Sequence, residues 1–448
     1  MKPAISDYLS AREPSVIRLA QIEYSMRKDG VNAVNVAIGN VSLPMHPAMI
    51  KRMSGLRDEG SPFKDGVVKY TATVGTDETR EAFLNIISSS SFNTTGLNVQ
   101  VTDGGSQAME LVILGVCGKA GSDRTGEKPL LVIDPAYTNY SAFAGRIGRG
   151  VVSVTRELDD SGIFRLPDIK EIEKTIKSYR PGGILVIPYD NPTGQLYSRE
   201  MLIQLARLAV KYNLWIISDE AYRELYYEDA PAVSIWGITE SDVPGIEGRR
   251  ISIETASKVW NACGLRIGAL VTDNEEFHRR AVAESTANLC PDAIGQYIFG
   301  SLAHESTGDL NKWYNKQRSY YREIKKKLYS GFKEELPGII MSAPSAAIYS
   351  VVDVRNYVGP GFSAHDFVMY CAGEGAVVLD DTGGGKHQTK YTLLTAPMGG
   401  FYSGVSLKSG KNPGLTQMRI AYVEPPERME LVPKLFKNLL DQYKSQRS

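Results

Sequence analysis

A lysine that leaves an apolar run beside two hydroxyls, Thr255-Ala256-Ser257-Lys258, is poorly placed for solvation. Burial lowers an amine's pKa, and a deprotonated lysine is what Schiff-base chemistry requires. Eight residues on, Arg266 stands in Gly264-Leu265-Arg266-Ile267-Gly268, where its guanidinium can fork onto a phosphate. Four other segments place polar groups at the ends of apolar runs. Asp103-Gly104-Gly105-Ser106-Gln107-Ala108 opens an apolar helix pattern; it is either a plain helix-entry turn or a cradle of free N–H groups and a hydroxyl for an anion. Tyr137, in Asp134-Pro135-Ala136-Tyr137-Thr138-Asn139-Tyr140, is either a half-buried aromatic or a platform for a flat ring. The turn Asn191-Pro192-Thr193-Gly194 would hold the Asn191 amide rigidly. Asp219, in Ser218-Asp219-Glu220-Ala221-Tyr222, is either a helix cap or a carboxylate aimed at a cationic group, with Tyr222 three residues further on.

Taken together, these segments ask for a ligand with a phosphate, a flat ring, a ring oxygen, a cationic ring nitrogen and an aldehyde. Pyridoxal 5′-phosphate has all five, and it uses a lysine Schiff base with an acidic partner for its pyridinium.

The elements that must position these residues alternate along the chain. Leu130–Asp134, Val151–Thr155, Gly183–Pro188, Leu214–Asp219, Arg250–Glu254 and Ala269–Thr272 read as buried strands. Gln107–Cys117, Pro167–Ser178 and Ser198–Tyr212 read as helices between them, the last capped by Ser198. This alternation predicts an α/β fold: a large domain with a mostly parallel sheet flanked by helices. In such sheets ligands sit beyond the carboxyl ends of the strands, where the five segments fall. A long polar helix, Asp309 to Glu335, leads to a second region with strands at Ile348–Asp353, Ala376–Leu379 and Gln417–Tyr422 and a closing helix at Pro426–Tyr443. We expect an N-terminal arm, 1–50, to join residues 331–448 in a smaller α+β domain beside a large domain of 51–330. Gly383–Gly385 is expected to be mobile.

Composition narrows the function classes. The chain has 448 residues, with 51 Lys plus Arg against 51 Asp plus Glu, 42% hydrophobic and 23% charged. A balanced charge gives no electrostatic reason to expect nucleic acid or an anionic membrane as the main partner. No apolar run approaches the roughly 18 residues of a membrane span, and Met1–Pro14 lacks the apolar core of a signal peptide. Cys117, Cys263, Cys290 and Cys371 show neither zinc nor redox spacing, so we expect no metal and reduced thiols in a cytoplasmic protein.

The segment Thr255–Gly268 matches, at every restricted position but one, the lysine signature of fold-type I pyridoxal-phosphate aminotransferases of class I/II, the aspartate aminotransferase superfamily. The exception is Thr255, where Gly or Ser is usual. The resemblance extends from about Asn35 to the C-terminus. It implies that Lys258 carries the Schiff base, that Asp219 pairs with the pyridine nitrogen, and that Tyr222 and Asn191 bond the ring's phenolic oxygen. It implies Tyr137 stacking on the ring, and Gly105, Ser106, Gln107, Ser257 and Arg266 around the phosphate. Lys69-Tyr70-Thr71-Ala72-Thr73-Val74-Gly75 resembles the segment whose tyrosine reaches the phosphate of a neighbouring subunit, which makes Tyr70 a cofactor residue and the protein a homodimer. Val36-Ala37-Ile38-Gly39-Asn40 resembles the segment whose glycine lies over the substrate. Met418-Arg419-Ile420-Ala421-Tyr422 is similar to the strand whose arginine holds the substrate α-carboxylate. Asn40–Pro44 replaces the usual acidic-proline stretch, and the glycine-rich Gly383–Gly414 is longer than many members need.

The implied activity is transfer of an amino group between an L-amino acid, aspartate or aromatic favoured, and a 2-oxo acid such as 2-oxoglutarate, by a ping-pong mechanism. A lyase, a decarboxylase or a synthase on the same scaffold shares these residues. A transcription regulator with an aminotransferase-like sensor domain would need an added DNA-binding module, and only about 38 residues precede Gly39.

Overall fold

The computed structural model describes residues 3–121, 128–380, 388–403 and 412–447. Gly383–Gly385 and residues 404–411 of the Gly383–Gly414 stretch lie outside them. A seven-stranded sheet is built, in chain order, from β1 (Asn98–Asp103), β2 (Leu130–Asp134), β3 (Val151–Thr155), β4 (Gly183–Val186), β5 (Trp215–Asp219), β6 (Arg250–Thr255) and β7 (Ile267–Thr272). The spatial order is β1-β7-β6-β5-β4-β2-β3. β7 runs antiparallel to both of its neighbours, and the other strands are mutually parallel.

The apolar runs are unbroken because both faces of this sheet are covered. Side-chain alternation divides them between two cores. Leu131, Ile133, Ile184, Val186 and Ile216 face one; Leu130, Val132, Leu185, Ile187 and Ile217 face the other. The helix Arg199–Lys211 starts as its sequence dictates: the Ser198 hydroxyl accepts from the Met201 N–H at 3.1 Å. The helix after β1 begins earlier than its apolar pattern, at Gly104, and runs to Cys117.

The helix Thr307–Glu335, capped by Ser306, leads to two smaller sheets. One is antiparallel, in the order Ile340–Met341, Tyr349–Asp353, Gln417–Ala421, Ala396–Pro397. In the other, Gln388–Leu394 pairs parallel with Asn32–Asn35 and antiparallel with Val377–Asp380.

Among strands of four residues or more, three are absent from the sequence reading: Asn98–Asp103, Asn32–Asn35 and Gln388–Leu394. Each mixes polar residues with only a few apolar ones, so none stands out as a buried run. The closing helix is two, Pro426–Met429 and Val432–Arg447; Pro433 has no N–H with which to continue the first into the second. No helix among the described residues is long and apolar enough to cross a membrane.

Candidate active site

The carboxyl ends of β5 and β6, the start of helix Gly104–Cys117 and the strands Tyr349–Asp353 and Gln417–Ala421 enclose a cavity of about 980 Å³. Of the residues singled out from sequence, Gly39, Gly105, Ser106, Tyr137, Asn191, Asp219, Tyr222, Ser257, Lys258, Arg266 and Arg419 line it. Two do not. The Gln107 side chain folds back to the end of β1, where Oε1 accepts from the Asp103 N–H at 2.7 Å. Tyr70 is 78% exposed, away from the cavity of its own chain.

One end of the cavity is a set of donors. Helix Gly104–Cys117 has no side chain capping its first turn, so its leading N–H groups face the cavity unmet, with the positive end of the helix dipole behind them. Arg266 is held beside them in the left-handed region, φ +55°. Its Nη2 reaches the Asp103 carbonyl at 3.3 Å, and a Cβ on Gly104 would run into its guanidinium. Here glycine is required both by space and by its φ of +77°. Across the gap the Thr255 and Ser257 hydroxyls lie 2.7 Å apart. Thr255 thus keeps its oxygen in the turn where the family uses Gly or Ser.

The floor of the cavity holds Asp219 at the end of β5. Its Oδ2 accepts from the Tyr140 hydroxyl at 2.7 Å and its Oδ1 from the Ala221 N–H at 3.1 Å. Burial pushes the Asp219 pKa up, and the Tyr140 and Ala221 hydrogen bonds pull against it. Tyr137, one helical turn before Tyr140, sits edge-on to it at 5.7 Å; burial pushes its phenol up to about 12.

The opposite wall comes from distant parts of the chain. Lys258 Nζ donates to the Gly39 carbonyl. Arg419, 2% exposed, donates from Nη1 to Asn191 Oδ1 at 2.8 Å and from Nη2 to the Ala37 carbonyl at 2.7 Å. Its guanidinium lies over the Tyr349 ring at 4.3 Å and the Phe401 ring at 5.0 Å, and its Nε has no protein partner. The Asn191 turn is anchored from behind. Asp190 pairs with Arg156 at 2.6 Å with both side chains 1% exposed, and Arg156 also donates to the carbonyls of Ile133 and Pro135. One buried cation therefore ties the Asn191 corner to the Tyr137 corner.

Three contributors escaped the sequence reading. Tyr140 lay in view only as part of the Tyr137 segment, although its one-turn spacing from Tyr137 was a usable signal. Tyr349, inside Ala346-Ala347-Ile348-Tyr349-Ser350-Val351-Val352, reads as core. Arg156, just past β3, has no sequence feature that marks it as buried.

The chain as a whole resembles known proteins. Residues 32–383 match the family described as aminotransferase class I and II, and the chain belongs to that family. It is similar to the aspartate/prephenate aminotransferase of Thermus thermophilus, 25% identical over 356 residues, 78% of this chain and 84% of the relative. It is 24% identical over 365 residues to the aspartate aminotransferase of Sulfolobus acidocaldarius, covering 80% and 83% of the two chains. Among solved structures, an alanine aminotransferase from Pyrococcus furiosus superposes over 98% of this chain and 100% of its own, with a TM-score of 0.77 at 21% identity; a likeness at that identity shows the shared fold. The protein is an aminotransferase.

Proposed function

We propose that this aminotransferase uses pyridoxal 5′-phosphate to move an amino group between an L-amino acid and a 2-oxo acid such as 2-oxoglutarate, in ping-pong fashion. The observation that carries this reading is the meeting of Lys258, Asp219 and Arg419 in one cavity. The cavity suits the cofactor: unmet helix N–H groups with Arg266 for a phosphate, a phenol face at Tyr137, and a buried carboxylate at Asp219. Bound there, the cofactor supplies an electrophilic carbon for the substrate amine and a ring that takes up charge from the substrate Cα.

The chain's own residues do the rest. Asp219, which accepts from the Tyr140 hydroxyl, would hold a proton on the ring nitrogen. Asn191 and Tyr222 donate toward the ring's phenolic oxygen. Arg419 forks onto the substrate α-carboxylate, with Nε free for it, and so fixes which bond at Cα stands across the ring. Lys258 would hold the cofactor through its amine and, as a free base, would take the proton from the substrate Cα and return it.

Aspartate and aromatic amino acids are the favoured donors; the names of the relatives support aspartate. We read the protein as cytoplasmic, with four unpaired cysteines. We read it as a homodimer, because Ile50, Met53, Val67, Val68 and Tyr70 leave a stretch of large apolar side chains exposed on one chain. We divide it into an arm, 1–50, a large domain, 51–330, and a small domain, 331–448.

Borohydride reduction of the protein loaded with pyridoxal phosphate, followed by peptide mapping, tests the assignment. The label should sit on Lys258, and Lys258→Ala should bind cofactor without a reducible linkage and lose nearly all turnover. A label on another lysine would overturn it. A panel of amino acids, scored by single-turnover loss of the cofactor's absorbance, then identifies the donor.

A further inference from the structure

Tyr349 is 2% exposed, and its hydroxyl lies 2.7 Å from the hydroxyl of Tyr222. It also stands against Gly39: a Cβ there would collide with the Tyr349 oxygen, while Lys258 Nζ lies 3.3 Å from the same point. A buried phenol in contact with a cofactor-facing phenol, next to the catalytic lysine, is more than packing. The direction of its hydrogen bond follows from the neighbours. Arg419 can only donate, so the Asn191 atom 2.8 Å from its Nη1 is the carbonyl oxygen. The Asn191 NH2 is thereby turned toward Tyr222, whose oxygen it approaches at 3.5 Å. The Tyr222 oxygen is thus an acceptor toward Asn191. Its single proton can go either to Tyr349 or to the cofactor.

We propose that Tyr349 is a positioning residue for Tyr222: its hydroxyl donates to the Tyr222 oxygen and leaves the Tyr222 proton for the phenolic oxygen of the cofactor. This rests on the pyridoxal-phosphate reading. Chains of hydrogen bonds polarise one another, so a donor behind Tyr222 makes Tyr222 a better donor in front. A better donor stabilises negative charge on the phenolic oxygen. That charge lacks a neighbouring proton once the nitrogen joining Lys258 to the cofactor is deprotonated, so the donor lowers the pH at which that nitrogen loses its proton. Removing the Tyr349 hydroxyl raises it.

The experiment is a pH titration of the bound cofactor's absorbance in wild type, Tyr349→Phe, Tyr222→Phe and the double variant. Tyr349→Phe keeps the ring under Arg419 and removes only the oxygen. It should move the midpoint up by about half a unit, roughly a threefold change in proton affinity. Tyr222→Phe should move it further in the same direction. The double variant should match Tyr222→Phe alone, because Tyr349 has nothing left to act through. An unchanged midpoint in Tyr349→Phe, or shifts that simply add, would overturn the proposal. Failure of the wild type to acquire any cofactor absorbance would instead count against the cofactor reading beneath it.

Discussion

Asp219 has its two carboxylate oxygens in different surroundings, one bonded to a phenol and the other to a backbone N–H, and its proposed role depends on remaining charged in a buried place. Asp219→Ala should cut turnover by several powers of ten, whereas Asp219→Glu should retain far more. Tyr140→Phe should fall between wild type and Asp219→Ala. A lost hydrogen bond to a charged group is worth about 1.5–3 kcal/mol, roughly ten- to a hundredfold in rate. The phenol pulls the Asp219 pKa down, so its removal lets that pKa rise, and the acid limb of the kcat/KM profile should move to higher pH. Rates for Tyr140→Phe equal to wild type at every pH would remove Tyr140 from the site. Lys258 and Asp219 were legible in the sequence because a charge at the end of an apolar strand is conspicuous. Tyr140 and Tyr349 were not, since a tyrosine among apolar neighbours is the ordinary composition of a core and its hydroxyl partner is set by tertiary contact alone. Gln107 shows the opposite case: its residue type suited a cradle, but its side-chain oxygen is taken by the Asp103 N–H at the end of β1.

At the level of elements, the six sheet strands read from sequence were legible as unbroken apolar runs, while the edge strand Asn98–Asp103 was hidden by its polar residues. The connection from Gly39 into helix Pro47–Ser54 was equally hidden, and it carries a titrating group. His46 caps that helix, Nδ1 accepting from the Ala48 N–H at 3.3 Å. Its ring lies edge-on to Trp313 at 5.0 Å and Trp260 at 5.9 Å, two residues past Lys258. Burial lowers its pKa from 6.5 to about 4, with the Asp309 charge opposing. The folded chain therefore keeps His46 neutral where the unfolded chain binds a proton. The cost appears as pH falls below 6.5, grows to about 4 and is level below that. It should reach about 3 kcal/mol at most. Urea unfolding at a series of pH values should show this loss in wild type and a flatter dependence in His46→Gln. The same slope in both proteins would mean that His46 charges in place.

For the whole molecule, the site is drawn from segments that a single reading of the chain separates: Ala37 and Gly39, Asn191, Lys258 and Arg419. Their convergence is a property of the fold and could be anticipated only by family resemblance. Tyr70, so exposed on one chain, has a role only if a second copy brings a cavity to it. If it bonds the phosphate across an interface, Tyr70→Phe should weaken cofactor binding roughly ten- to a hundredfold. Mixing Lys258→Ala with Tyr70→Phe subunits should then restore activity, since one site of each hybrid carries neither lesion. Confirmed subunit exchange without recovery, or an active species that sediments as a monomer, would defeat the shared site. The parallel pairing of Asn32–Asn35 with Gln388–Leu394 also orders events on the ribosome. When Asn32–Asn35 emerges, its partner strand has not been translated, and its backbone groups must stay bonded to water. The strands from Asn98 to Thr272 come out next and can close their sheet as a unit. The nascent chain accordingly owns helix Gly104–Cys117, Arg266, Asp219 and Lys258 well before Gly39 can be drawn against Lys258 or Arg419 exists at all. On the proposed reading, a newly made subunit would be competent to hold its cofactor before it is competent to choose a substrate.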